Sequence, residues 1–398
     1  MPHARPILVV AGAVGNKPGN GGEAWEKTSW ATGFRRLGFD VWFVEQIVPA
    51  SCVDAAGTRV GFDDSANVRH FDREMRSAGL TGRSALLLTD DGGSVRSTRG
   101  AHVDEVTAAV SGAALLVNLS GHLRVPALLE RCGRTAYVDV DPGFTQFWHA
   151  DLGTPFRVPP HDLYYTIGRN IGRADCPIPT GGLTWLPTSQ PVVLADWPVV
   201  PAPRPNRFTT VARWRAAFGP VEFRGRRYGL KVHEFRKVID LPTRVPAAEL
   251  EIALAIHPAD AADRHALERS GWRLADPAAV VPDSASFRRY VQCSGAEFSV
   301  AQGVYADTAS GWFSDRTVRY LASGRPAVVQ QTGFDRYLPV GEGLLGFGTP
   351  DEAAAGIERV LSDPCRHARA ARAVAAEYFD SDRVLRRFLD DAGVERPR

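Results

Sequence analysis

Short apolar runs alternate with helical stretches along this chain, and the alternation runs twice. Pro6 to Gly12 is an apolar run that stops at glycine. A loop follows from Val14 to Gly22, and Glu23 to Leu37 carries Ala24, Trp25, Ala31 and Phe34 at helical spacing. Gly38 ends that helix, and Asp40 to Val44 reads as a second strand. Helices expected over 67–78, 103–110 and 125–131 then alternate with strands over 85–89, 114–118 and 135–139. An aromatic loop, Phe144 to His149, precedes a strand over 163–167. Apolar runs of this kind, separated by helices, are buried on both faces, which calls for a parallel sheet covered by helices on each side.

Between Cys176 and Arg207 prolines crowd together at 177, 179, 187, 191, 198, 201, 203 and 205. Such a segment cannot supply central strands or helix interiors, so it reads as a linker, with at most one short strand over 190–195. The alternation restarts at 208–212. Further strands are expected over 250–256, 296–300 and 327–329, and helices over 232–239, 261–270, 284–294, 352–361, 367–379 and 381–391. A chain of 398 residues also exceeds one ordinary core. The expected fold is α/β: two doubly wound parallel-sheet (Rossmann-like) domains facing a cleft. The first domain spans 1–195, the Pro-rich linker 196–206 and the second domain 207–380. A C-terminal helix within 381–398 is expected to pack back on the first domain.

Composition narrows the function. A hydrophobic fraction of 44%, a charged fraction of 23% and a net charge of +2 describe a globular protein with no electrostatic reason to bind nucleic acid or an acidic membrane. Cys52, Cys132, Cys176, Cys293 and Cys365 are scattered and form no CxxC pair, so neither a zinc site nor a disulfide framework is expected. With no signal-like or membrane-spanning run, a cytoplasmic location is expected. Partners are expected to be small molecules, and the chain itself to be a monomer or homodimer.

In doubly wound sheets ligands bind beyond the carboxyl ends of the strands, which selects the polar residues to examine. The glycine loop with Gly12, Gly15, Gly19, Gly21 and Gly22 is too long for the dinucleotide pattern GxGxxG. His122 follows one strand end, Asp139 and Asp141 the next, with His149 nearby; His122, Asp141 and His149 are candidates to accept a proton from a substrate hydroxyl. Asp139-Val140-Asp141 spells DxD, but the topology differs from the architecture that uses this motif for metal, and neither a metal nor another cofactor is expected. In Gly303 to Gly333 a polar loop reaches Ser314-Asp315, where a helix begins, and Gly324 ends it before the apolar run Ala327-Val328-Val329. A helix start at that place offers free N–H groups and a favourable dipole to a phosphate. Lys231 opens another helix after the basic loop Arg213 to Arg227, and is one of only four lysines in the chain.

The stretch Arg319-Tyr320-Leu321-Ala322-Ser323-Gly324-Arg325-Pro326-Ala327-Val328-Val329, with Arg213 or Arg215 and Lys231, resembles the GT-B glycosyltransferases, most nearly their large retaining, metal-independent nucleotide-sugar family. Within it the chain resembles the antibiotic-pathway branch more than the polysaccharide branch. The resemblance implies transfer of a sugar from a nucleoside diphosphate sugar to a small acceptor. Arg213, Arg215, Lys231 and the helix start Ser314, Asp315, Arg316 and Thr317 would hold the donor diphosphate. Gly19, Gly21 and Gly22 would bring the first loop close to the donor, His122 would contact the transferred sugar, and the Phe144 to Trp148 loop would stack on an acceptor ring. The family's paired glutamates are absent, since Gly311 and Arg319 stand in their places. Two other classes remain open: a nucleotide-sugar epimerase of the same fold, and a non-catalytic two-domain binding protein.

Overall fold

The structure, a computed structural model, describes residues 5–151, 153–215 and 218–397. Eight strands form the first sheet: β1 (Ile7–Ala11), β2 (Asp40–Ile47), β3 (Ser84–Thr89), β4 (Val95–Gly100), β5 (Ala113–Leu119), β6 (Thr135–Asp139), β7 (Leu163–Thr166) and β8 (Trp185–Pro187). Their order is β4-β3-β2-β1-β5-β6-β7-β8, and every neighbouring pair is parallel except β3 with β4. Leu8, Val9 and Val10 have no exposure, as a central strand covered on both faces requires. The edge strands lack that apolar signature. β4 reads VRSTRG and is largely exposed, while β8 lies inside the Pro-rich segment and carries Pro187 where an edge tolerates it. The strand expected over 190–195 is instead a single bridge, Val192 with Asp380, followed by a 3₁₀ turn over Leu194–Asp196.

The second domain contains β9 (Arg207–Arg213), β10 (Val221–Phe223), β11 (Arg226–Tyr228), β12 (Glu249–Ala255), β13 (Arg273–Ala275), β14 (Ala296–Ser299), β15 (Ala327–Gln330) and β16 (Leu344–Phe347). Six of these make an all-parallel sheet in the order β13-β12-β9-β14-β15-β16. The other two, β10 and β11, form an antiparallel hairpin where the sequence suggested only a basic loop; positions 216 and 217 of that loop lie outside the described residues. Arg224 and Gly225 at its tip have φ of 49° and 75°, the left-handed backbone that a two-residue hairpin turn needs. The aromatic loop after β6 is also more ordered than expected, forming the helix Phe144–Ala150. The loop before the Asp315–Ala322 helix contains a short helix, Gly303–Asp307.

Strand order reverses between β1 and β5 in the first sheet and between β9 and β14 in the second. Crevices open at these two switch points. Two chain crossings join the domains side by side. Val192 N–H donates to Phe379 O (2.8 Å), and Ser381 N–H returns to Val192 O (2.9 Å). After that return the Ser381–Asp391 helix buries Leu385, Phe388 and Leu389 in the first domain's core with Trp30 and Phe34. Gly33 permits this approach, because a Cβ there would lie 2.5 Å from Leu385 Cδ1. Among the described residues no helix is long and apolar enough to cross a membrane.

Candidate functional site at the interdomain cleft

At the first switch point the loop after β1 is held from beneath. Glu45 on β2 is fully buried, and its carboxylate accepts the N–H groups of Val14 (2.8 Å), Gly15 (2.7 Å) and Asn16 (2.7 Å). Burial pushes this carboxyl up to about 7 against the three amide donors. The loop ends at Asn20, whose side chain caps the helix Gly21–Arg36. That helix carries a buried ionic cluster into the cleft: Lys27 is 1% exposed, 3.1 Å from Glu26 and 3.9 Å from Glu23, which also lies 3.6 Å from Lys17. Burial opposes the Lys27 ammonium, yet Glu26 and Glu23 hold it and raise its pKa; burial pushes Glu26 up to about 7. The Lys27 stem runs beneath Gly12, where a Cβ would be 3.3 Å from Lys27 Cγ.

Two predicted residues face this cluster. His122 follows β5 on a left-handed turn, Ser120 at φ 53° and Gly121 at φ 64°, braced where Asn118 bonds both backbone groups of Leu123 (2.9 and 3.1 Å). Burial, reinforced by Lys27, pushes its imidazole down to about 3, so it is neutral. Asp141 is exposed, and loss of solvation among its neighbours raises its pKa against Lys27. Its Oδ1 accepts the Tyr305 hydroxyl of the second domain at 3.2 Å. Asp139 points inward instead, accepting from Thr145 (2.7 Å), Gln146 (2.8 Å) and Thr166 (2.7 Å). Among the described residues no three His, Cys, Asp or Glu side chains are grouped to hold a metal.

At the second switch point Lys231 opens the Lys231–Lys237 helix. Its ammonium has no ion-pair partner among the described residues, and burial, with Arg316 nearby, pushes it down to about 7. Arg316 is committed to the fold: its Nε donates to Glu297 (2.6 Å) and its Nη1 to Val211 O (3.0 Å), joining the ends of β9 and β14. The Asp315–Ala322 helix starts beside them with no side-chain cap at Ser314, leaving its first amides without an acceptor among the described residues. Ser314 and Thr317 line a cavity of about 10 Å³ with Ser299 and Gln330, room for one water. Arg213, at the end of β9, is exposed and unpaired among the described residues.

Four expected site residues lie elsewhere. Arg215 turns away to pair with Asp260 at 2.5 Å. His149 accepts Val158 N–H at 3.1 Å and packs against Gly181, a structural position outside the cleft cluster. Gly21 and Gly22 admit the second domain rather than a ligand: a Cβ on Gly21 would sit 2.0 Å from Asp283 O, and one on Gly22 3.0 Å from Phe287. Gly19, at φ +77°, borders open space. The aromatic helix is no free platform either, since Phe147 stacks on Tyr228 of β11 (4.9 Å) and Phe144 meets Tyr305 edge-on (5.9 Å). The two positions that lack glutamate also serve the domain contact: Arg319 donates to Ser29 (3.2 Å), and Gly311 packs against Asn170. Sequence reasoning passed over Lys27, Glu45, Asn170 and Tyr305. Only Lys27, a lysine in a lysine-poor chain with Glu23 four residues before it on a helix, carried a usable signal.

No protein-family model matches the chain, and no curated protein matches its sequence. Solved structures do match over nearly the whole length. AviGT4, a glycosyltransferase involved in avilamycin A biosynthesis, is 12% identical with a TM-score of 0.56, covering 98% of this chain and 97% of its own. HepE of Anabaena, in complex with UDP-glucose, is 12% identical with a TM-score of 0.56, covering 97% and 99%. The pneumococcal O-GlcNAc transferase GtfA, in complex with UDP and GlcNAc, is 9% identical with a TM-score of 0.52, covering 98% and 99%. Together with the two facing doubly wound sheets, these likenesses give the chain the GT-B fold of the glycosyltransferases.

Proposed function

We propose that the protein is a glycosyltransferase that moves a sugar from a nucleoside diphosphate sugar to a small-molecule acceptor without a metal. One observation carries this reading. Basic groups unpaired among the described residues, Lys231 and Arg213, gather with an uncapped helix start at the second switch point, opposite His122 and Asp141 at the first. As the bond from the anomeric carbon to the β-phosphate oxygen breaks, charge develops on the departing diphosphate. Fixed N–H dipoles and cations aimed there stabilise it most. Fold relatives in complex with UDP or UDP-glucose support a uridine nucleotide as the first candidate.

The acceptor-side groups favour retention of configuration. His122 is held neutral and is a weak base, suited to bonding a sugar hydroxyl, and Asp141 already accepts from Tyr305. With no base poised, the acceptor proton passes to the leaving diphosphate oxygen while the new bond to the anomeric carbon forms. A thermal-shift screen of UDP, dTDP and GDP, followed by turnover with the stabilising nucleotide's sugars, tests the reading. Lys231→Ala is expected to lower turnover by about 10²–10³-fold with the fold intact. Wild-type turnover in that variant would remove the diphosphate assignment. Asp141→Asn is expected to keep turnover within about tenfold; a loss beyond about 10²-fold, with an inverted product by NMR, would make Asp141 a general base.

A further inference from the structure

The helix Gly21–Arg36 has a second polar face. Trp25, Thr28, Thr32 and Arg36 recur at three- and four-residue spacing, opposite the face that carries Glu23, Glu26 and Lys27 into the cleft. Behind that second face lies a cavity of about 540 Å³, within the roughly 300–1,000 Å³ typical of small-ligand pockets. Its walls come from three parts of the molecule: the first domain, including Val193 and Ala195 at its end, the first linker residue Asp196, and Ser284, Ala285 and Arg288 of the second domain.

Its charge is unbalanced. Among the lining residues Arg5, Arg35, Arg36 and Arg288 outnumber the carboxylates Asp196 and Glu74, and Asp382 pairs with Arg36 at 3.3 Å. Glu74 is already satisfied by Arg73 at 3.1 Å. The guanidinium groups are anchored through only part of their donors: Arg35 through Nη1 to the carbonyls of Ala78 and Gly79, Arg36 through Nε to Asp382, and Arg288 through Nη1 to Asp196 O. Each guanidinium has five N–H donors in a planar fork, so several stay free to grip the oxygens of a phosphate. Trp25 forms the apolar part, with the Arg288 guanidinium 5.8 Å over its ring and its indole N–H fixed to Ser284 O of the other domain at 2.7 Å.

We propose that this cavity is a second binding site, separate from the cleft, for a small phosphorylated molecule. An anion there joins arginines of both domains, Arg5, Arg35 and Arg36 with Arg288, so its binding energy favours the closed arrangement of the domains. The cavity itself does not depend on the transferase reading, only the cleft site used as its comparison does, and its test is binding rather than turnover.

Isothermal titration of the full chain with inorganic pyrophosphate is expected to show two sites. Lys231→Ala is expected to remove only the cleft site. Arg36→Ser with Arg288→Ser, and independently Thr32→Glu on the cavity floor, are expected to weaken the other site at least about tenfold, as loss of charge-assisted bonds or an added like charge should. In the Lys231→Ala background pyrophosphate should still raise the melting temperature, and adding Thr32→Glu should cancel that rise. The proposal is overturned if the cavity variants titrate like wild type, if Lys231→Ala abolishes all binding, or if Arg264→Ser with Arg269→Ser on a remote helix weakens binding equally.

Discussion

At the residue scale the cleft is a set of charges placed where burial decides their state. Lys231 sits at about 7 because burial and Arg316 disfavour its ammonium, and a bound diphosphate would reverse that balance. Nucleoside diphosphate affinity is therefore expected to be flat below about pH 7 and to fall above it, by at most about tenfold per pH unit, because binding must then take up a proton. Calorimetry in buffers of different ionisation enthalpy reads the uptake directly, and Lys231→Arg, always charged, should remove it. Glu45 makes the opposite case. Burial lifts its carboxyl from 4.5 to about 7, so between those values the native state holds more protons than the unfolded chain. Its contribution to stability is present at low pH and declines as pH rises through that window. Glu45→Gln should abolish this slope. It should also cost roughly 1–3 kcal/mol by denaturant unfolding, because one amide oxygen cannot serve three N–H donors.

At the element scale the Gly21–Arg36 helix organises the molecule. One face carries the Lys27 cluster into the cleft, another lines the cavity behind it, and its first turn touches Asp283. Gly21→Ala drives a Cβ into the Asp283 carbonyl, so the helix start or the second domain must shift. A loss of about 1–3 kcal/mol is expected in chemical denaturation, together with weaker nucleotide binding, since the contact lies between domains. Elements differed in how far they were legible. The central strands and long helices were readable because burial on two faces, or on one stripe, writes a period into the sequence. β4, β8 and the β10–β11 hairpin were not, because edge strands and short hairpins draw their stability from neighbours rather than from an apolar pattern of their own.

At the scale of the whole molecule, domain contact competes with ligand access. Phe147 stacked on Tyr228, Phe144 against Tyr305, the Asp141–Tyr305 hydrogen bond and Asn170 bonded to Ala309 O (2.8 Å) and Gly333 O (3.0 Å) close one side of the cleft. Phe147→Ala is expected to cost about 3–5 kcal/mol, and small-angle scattering should show a larger radius of gyration as the domains part. An unchanged radius would mean that the remaining contacts hold the domains closed by themselves. The amino-acid sequence by itself determined two doubly wound sheets, the places of His122 and Asp141 after strand ends and that of Lys231 at a helix start, because apolar period and strand-end position are local properties. Tertiary structure alone decided that Arg215 and His149 serve the scaffold, that Gly21, Gly311 and Arg319 serve the domain contact, and that Lys27 enters the cleft. Those assignments depend on which distant surface each side chain meets, and no local pattern along the chain records that.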